Sequence, residues 1–179
     1  MFEASVEVYF KHLWNQIEYS ESYVNELNVD QERGYVFGKG KAYGIELFLK
    51  KRTGKLNGWI GYTLARSDRK FADLNEGKIF PAKYDRTNDL TINLAYDFNK
   101  EWTLGATWVY ATGNAITPVT GIGIVEFSPF FIYGQRNSIR VPAYHRLDFS
   151  LNYSPVPKRK PNRRWRSSAY IAASSFASR

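Results

Sequence analysis

The chain has 179 residues, a net charge of +8, 17% aromatic residues and no cysteine. Disulfide scaffolds and cysteine-based metal sites are therefore excluded. No run of about 18 apolar residues exists to cross a membrane as a helix. Met1 is followed directly by Phe2, Glu3, Ala4 and Ser5, with neither a basic nor an apolar leader. The chain is therefore expected to be an internal or C-terminal piece of a longer protein.

Apolar and polar residues alternate with the period of two that marks β-strands. The first predicted strand covers residues 4–13 and can extend to Tyr19; it places Val6, Val8 and Phe10 opposite Ser5, Glu7, Tyr9 and Lys11. Residues 21–39 form a long polar loop. The second strand, residues 40–51, sets Tyr43, Ile45, Leu47 and Leu49 against Ala42, Gly44, Glu46, Phe48 and Lys50. Residues 52–55 contain Gly54 and make a tight turn. The third strand, residues 56–66, turns Ile60, Tyr62 and Leu64 outward. Trp59 falls inward by strict parity, unless a bulge redirects it.

Residues 68–85 form the second long loop. The fourth strand, residues 86–98, is the most regular: Leu90, Ile92, Leu94, Tyr96 and Phe98 oppose Thr91, Asn93, Ala95 and Asp97. After a short joint at residues 99–101, the fifth strand, residues 102–112, carries Trp102, Leu104, Ala106, Trp108 and Tyr110 outward. Its inward side has Thr103, Gly105, Thr107, Val109 and Ala111. Large side chains out and small ones in reverse the pattern of a soluble core. The third long loop, residues 113–140, is rich enough in apolar residues to hold a small hairpin. The sixth strand, residues 141–153, alternates Ala143, His145, Leu147, Phe149, Leu151 and Tyr153 with Tyr144, Arg146, Asp148, Ser150 and Asn152.

The joints alternate between short and long, as the turns and loops of outer-membrane barrels do. Structureless loops longer than about 15 residues are uncommon in soluble domains. Trp59, Phe98, Trp102 and Tyr153 lie beside the short turns, as interfacial rings would. The chain is thus expected to be all-β, an antiparallel up-and-down meander of six or seven long strands and an incomplete piece of a transmembrane β-barrel. Residues 1–153 form the partial barrel. Residues 154–179 form a basic, low-complexity tail, read either as a weak last strand or as a frameshifted end. Its Lys158, Arg159, Lys160, Arg163, Arg164 and Arg166 fit a turn beside anionic headgroups better than a nucleic-acid tail.

Five phrases, in order, carry a family resemblance. They are residues 38–47 (GKGKAYGIEL), 58–67 (GWIGYTLARS), 84–90 (YDRTNDL), 108–114 (WVYATGN) and 141–148 (VPAYHRLD). Together they resemble the C-terminal part of the barrel of a TonB-dependent outer-membrane receptor, of the kind common in Bacteroidetes. The resemblance implies a barrel of about 22 strands with a plugged lumen in the outer membrane of a Gram-negative cell. It also implies uptake of a scarce nutrient (an iron chelate, cobalamin or an oligosaccharide) driven by the TonB complex. The expected partners are membrane lipid, the plug and remaining strands of the same receptor, the TonB complex and the nutrient, with no nucleic acid. The rival reading is a soluble all-β carbohydrate-binding module.

Neither a catalytic residue nor a cofactor or metal site is expected, and the chain is not read as an enzyme. His12 and His145 are too far apart in sequence to suggest a shared site, and Asp97 and Asp148 lie on non-adjacent strands. Asp85, Arg86 and Asp89 at the start of the fourth strand, and Tyr144, Arg146 and Asp148 on the sixth, are the candidates for lumen residues facing ligand or plug. Phe127, Phe130, Phe131 and Tyr133 are the candidates for substrate capture in the third loop, because long loops carry function.

Overall fold

The computed structural model describes residues 1–20, 34–125, 127–155 and 169–178. Residues 21–33 of the first predicted loop and the basic cluster at 158–166 lie outside the described residues. The main sheet follows chain order: β1 (Phe2–Tyr19), β2 (Tyr35–Lys51), β3 (Leu56–Phe71), β5 (Asn88–Asp97), β6 (Trp102–Ala111), β11 (Tyr144–Tyr153) and β12 (Ala169–Ser178). Every neighbouring pair is antiparallel. A short β4 (Phe80–Pro81) adds to the top of β3. The third loop contains β7 (Ala115–Ile116) paired with β10 (Ile139–Arg140), and a hairpin of β8 (Val119–Val125) and β9 (Ser128–Tyr133). The fold is thus an open antiparallel meander. The expected small hairpin is present, and a seventh long strand, β12, completes the sheet.

Boundaries differ from the sequence expectation where loops become strands. β2 begins at Tyr35 and β3 runs on to Phe71. β5 begins only at Asn88, so Asp85 and Arg86 precede it. In each case pairing with a neighbour outweighs local polarity: Lys39, Gly38 and Gly40 pair with Lys70, Phe71 and Arg69. A Cβ on Gly38 would sit 2.5 Å from the Phe71 ring, so only a residue without a side chain lets that ring lie flat on β2.

The registers carry the outward faces across the sheet in continuous rows. Ile92 sits opposite Ile60 on one side and Trp108 on the other, and Trp108 sits opposite Leu147. These outward side chains remain open: Leu94, Trp108 and Phe149 are 37%, 38% and 47% exposed. Among the described residues, no second layer packs on this face. The buried cluster lies elsewhere, where Phe71, Leu74 and Phe80 meet Val36 beneath the second loop. Trp59 keeps its inward parity. No bulge intervenes between β2 and β3, and its ring lies 6.0 Å from that of Phe48. It belongs to the inner wall and not to an interfacial belt.

One irregularity preserves the outward face. In β1, Trp14 and Asn15 together oppose Lys39, and the register shifts between Leu13 and Gln16. Asn15 takes the left-handed conformation, with φ 51°. This β-bulge reverses parity, so Ile17 and Tyr19 continue the face carried below by Val8, Phe10 and Trp14. The strand ends are also staggered. Phe2, the first residue of β1, lies on the row of Lys51, Gly58, Leu94, Ala106 and Phe149, well inside β11. Such stagger is what tilts strands in a closed barrel.

Replacing Asn15 by Val is expected to destabilise the sheet by about 1–2 kcal/mol, because a β-branched residue resists the left-handed region. Asn15→Gly is expected to be nearly neutral. Denaturant unfolding of the refolded chain in detergent checks both.

Candidate functional site: the inner wall and the loops above it

The inward face is small and polar, and its hydrogen bonds run between strands. Asn93 donates from Nδ2 to Thr107 Oγ1 at 2.8 Å. The Thr103 hydroxyl donates to Asp97 Oδ1 at 2.7 Å. Arg146 Nε and Asp148 Oδ2, two positions apart on β11, stand 2.8 Å apart as an ion pair. Their alignment does not make that contact a hydrogen bond. Arg146 and Asp148 pair in register with Val109 and Thr107 of β6, and Tyr144 with Ala111, so all three share the inner wall as expected. Asp89 is also on that wall, half-exposed, with Arg86 NH1 3.7 Å away.

The wall has an acidic row that parity alone could not assemble. Glu7 lies directly opposite Glu46, and Glu46 opposite Thr63, which in turn faces Asp89. With Phe48 and Trp59 these residues line an open hollow of ≈ 240 Å³. Like charges placed directly opposite each other are destabilising. The sequence shows Glu7 and Glu46 as inward residues, but their juxtaposition depends on the register of β1 with β2, which the alternation leaves open.

Asp85 is the buried one of these candidates. It is 2% exposed, at the edge of a hollow of ≈ 310 Å³ that Tyr9, Arg86 and Asp89 also line. Its Oδ1 accepts the Ser67 N–H at 2.6 Å, and its Oδ2 pairs with Arg140 NH2. Arg140 NH1 also donates to the Asp85 carbonyl at 2.8 Å and the Gly113 carbonyl at 3.2 Å. Asp85 thus fixes the third loop to the second. Burial of a carboxylate requires such a partner. Arg140, 55 positions away in sequence, supplies it.

Further ties extend this clamp across the mouth of the sheet. Asn137 Nδ2 donates to the Pro81 carbonyl at 2.8 Å, and the Arg136 N–H to Asn75 Oδ1 at 3.2 Å. Arg136 NH2 reaches Glu18 Oε2 on β1 at 2.5 Å. A loop rooted between β6 and β11 therefore touches the far strand, so the sheet curves and its loops fold over the concave side. Arg86 Nε donates to Asn114 Oδ1 at 3.1 Å and joins the same network. In the second loop, the hydrogen bond from Lys78 holds the exposed Glu76 carboxyl below the usual carboxylate range.

Above the clamp stands the β8–β9 hairpin. Phe127 occupies its tip with φ 65° and is fully exposed. Phe130, Phe131 and Tyr133 are exposed on β9, with Ile122 and Ile124 beside them on β8. Among the described residues, no group of His, Cys, Asp or Glu is placed to hold a metal ion.

The chain matches the family described as TonB dependent receptor-like, beta-barrel, over residues 1–172. It belongs to that family. Comparison with curated proteins and with solved structures returns no match. TonB-dependent receptors are outer-membrane transport proteins and not enzymes; they work with a plug, the TonB complex and a nutrient ligand. The open sheet of this receptor chain is accordingly a segment of barrel wall. Its two faces differ, one small and hydrogen-bonded, the other ringed and exposed.

Arg140→Ala is expected to leave the Asp85 carboxylate buried without its cation, and such losses cost about 3–5 kcal/mol. Arg140 is itself partly exposed, so the lower end of that range applies. Hydrogen exchange at the Ser67 amide is expected to accelerate, while Leu94 and Ile92 in β5 keep their protection.

Proposed function

We propose that this chain forms the wall and external loops through which a TonB-dependent receptor admits one scarce nutrient, an iron chelate, cobalamin or an oligosaccharide. The observation that carries the reading is the shape of the outward apolar belt. On β2 it runs from Lys51 to Lys41 without an outward charge between them. That stretch, at about 3.3 Å per residue and inclined by about 40°, rises about 25 Å, the height of a barrel's lipid-facing band.

The boundary descends from strand to strand. Its upper limit passes from Lys41 to Arg66, Asn88 and His145, and its lower limit from Lys51 to the Phe98–Trp102 turn and Tyr153. Both limits slope the same way, as a horizontal slab does across tilted strands. A soluble carbohydrate-binding module would have no reason for two parallel slanting limits.

In this reading the exposed β8–β9 rings Phe127, Phe130, Phe131 and Tyr133 make first contact with the nutrient. The clamped loops hold it over the mouth. The plug then rearranges, and the nutrient passes along the inner wall. Asp89, Arg86, Tyr144, Arg146 and Asp148, together with the acidic row of Glu7 and Glu46, face plug or nutrient. Asp85 is the anchor of the loops. β12 extends the wall beside β11.

Leu94, at the centre of the β5 belt, tests the membrane assignment. Leu94→Arg is expected to destabilise the protein in lipid vesicles by about 2–4 kcal/mol, and Ala95→Arg, on the opposite face, by less than half as much. Equal costs at both positions would exclude a lipid-facing belt. For the loop, uptake of labelled iron chelate, cobalamin and oligosaccharide by cells bearing the intact receptor identifies the nutrient. Phe130→Ala with Phe131→Ala is expected to lower that uptake about tenfold, the effect of roughly 1.4 kcal/mol of lost contact.

A further inference from the structure

The upper rim of the outward face carries a feature that wall and loops do not require. Lys39, Lys41 and Lys70 lie on the outward side of β2 and β3, with Lys39 directly opposite Lys70. All three side chains are exposed. Phe10, Trp14 and Tyr43 complete an open hollow of ≈ 600 Å³ around them. Lys39 Nζ sits 4.9 Å above the Trp14 ring. Asp68 lies directly opposite Lys41 and lines the same hollow, but Arg66 Nε stands 3.1 Å from both its oxygens, so this acid and Arg66 offset each other and the three lysines remain in excess. Among the described residues, no carboxylate is ion-paired with Lys39, Lys41 or Lys70.

Lys39 and Lys70, like charges directly opposite each other, repel and weaken the sheet. With Lys41 two residues below the Lys39–Lys70 row, the three lysines stand at the upper limit of the apolar belt and at the end that bears the long loops. In an outer-membrane barrel that end is extracellular. Directly below them the face is aliphatic and aromatic, with Ile45, Leu47, Leu64 and Val8 exposed. The ligand that matches both parts has an anionic head at the level of the lysines and acyl chains lying on the rows beneath.

We propose that this hollow docks the phosphate-bearing headgroup of an outer-leaflet lipid, with Lys39, Lys41 and Lys70 as its phosphate contacts and Trp14 and Phe10 as the shelf under the head. The proposal rests on the reading that the outward face meets lipid. Charge complementarity selects the head: cations near an anionic membrane surface each contribute to attraction, and an ammonium group is a point-charge binder of phosphate. The bulge at Asn15 contributes to the site. Without its parity reversal, β1 above Trp14 would turn Gln16 and Glu18 outward and place an acidic group beside the lysines.

The test uses the receptor reconstituted in vesicles of equimolar phosphatidylcholine and phosphatidic acid, followed by native mass spectrometry of the lipid retained. Wild type is expected to retain phosphatidic acid over phosphatidylcholine. The variant Lys39→Gln, Lys41→Gln, Lys70→Gln is expected to lose that preference about tenfold. The control Lys51→Gln, Lys55→Gln, Lys100→Gln removes the same charge at the opposite end and is expected to keep it. Equal loss in both variants, or no loss in either, overturns the proposal. So does displacement of the retained lipid by inorganic phosphate at equal concentration, which would make the hollow a general anion site. A spin label at Leu47 separates this from the membrane reading. If the label lies in hydrocarbon while the lysine variant behaves as wild type, only the headgroup site fails. If the label lies in water, the membrane assignment fails first.

Discussion

Everything in this chain depends on a sheet that keeps its bulky side chains on the outside. A β-strand has two faces and cannot choose which one is large; its surroundings decide. In a soluble sandwich the large face meets a second sheet. Here Leu94, Trp108 and Phe149 face away from the chain, while the side they abandon is filled by glycine, threonine and asparagine. Only an apolar solvent outside makes that arrangement favourable. The backbone is then constrained as well. Each strand must be bonded on both sides, because hydrocarbon offers no hydrogen-bonding partner. Among the described residues, β1 and β12 are the two outer strands of the sheet.

The same constraint explains why charge is distributed as it is. Inside, Arg146 with Asp148 and Asp97 with Thr103 lie within a few residues of the belt centre, where water is available. Outside, cations appear only at the limits of the belt. The long loops stand beyond it and build their own small interior. Phe71, Leu74 and Phe80 pack there, and the Asp85–Arg140 pair locks one loop to the next. A rigid mouth follows from this: the capture hairpin is exposed, yet its roots are tied through Asn137, Arg136 and Arg140 to β1, the second loop and β4.

The sequence made the strands legible wherever one side chain in two had to be apolar. The faces of β5, β6 and β11 follow from parity alone, because nothing in them interrupts the alternation. Three things were not legible. The bulge at Asn15 is a single left-handed residue whose effect shows only once β2 is set against β1. The juxtaposition of Glu7 with Glu46 is a matter of register between strands, to which the alternation within each strand is indifferent. Asp85 reads as one more polar residue before a strand. Its burial depends on Arg140 arriving from a distant loop, and no local pattern announces that meeting.

Asp85 also shows why a candidate site on a barrel wall needs both position and environment. Asp89 and Asp85 stand close in sequence and carry the same group, yet Asp89 is partly exposed on the wall and Asp85 is buried beneath an arginine. A buried carboxylate that accepts a backbone N–H on one oxygen and a guanidinium on the other is held in place as an anchor. Elsewhere on this wall Glu7 and Glu46 stand directly opposite each other, with Asp89 farther along the same row. Their mutual repulsion favours any cationic group that comes between them, whether it is presented by the plug or carried by the nutrient.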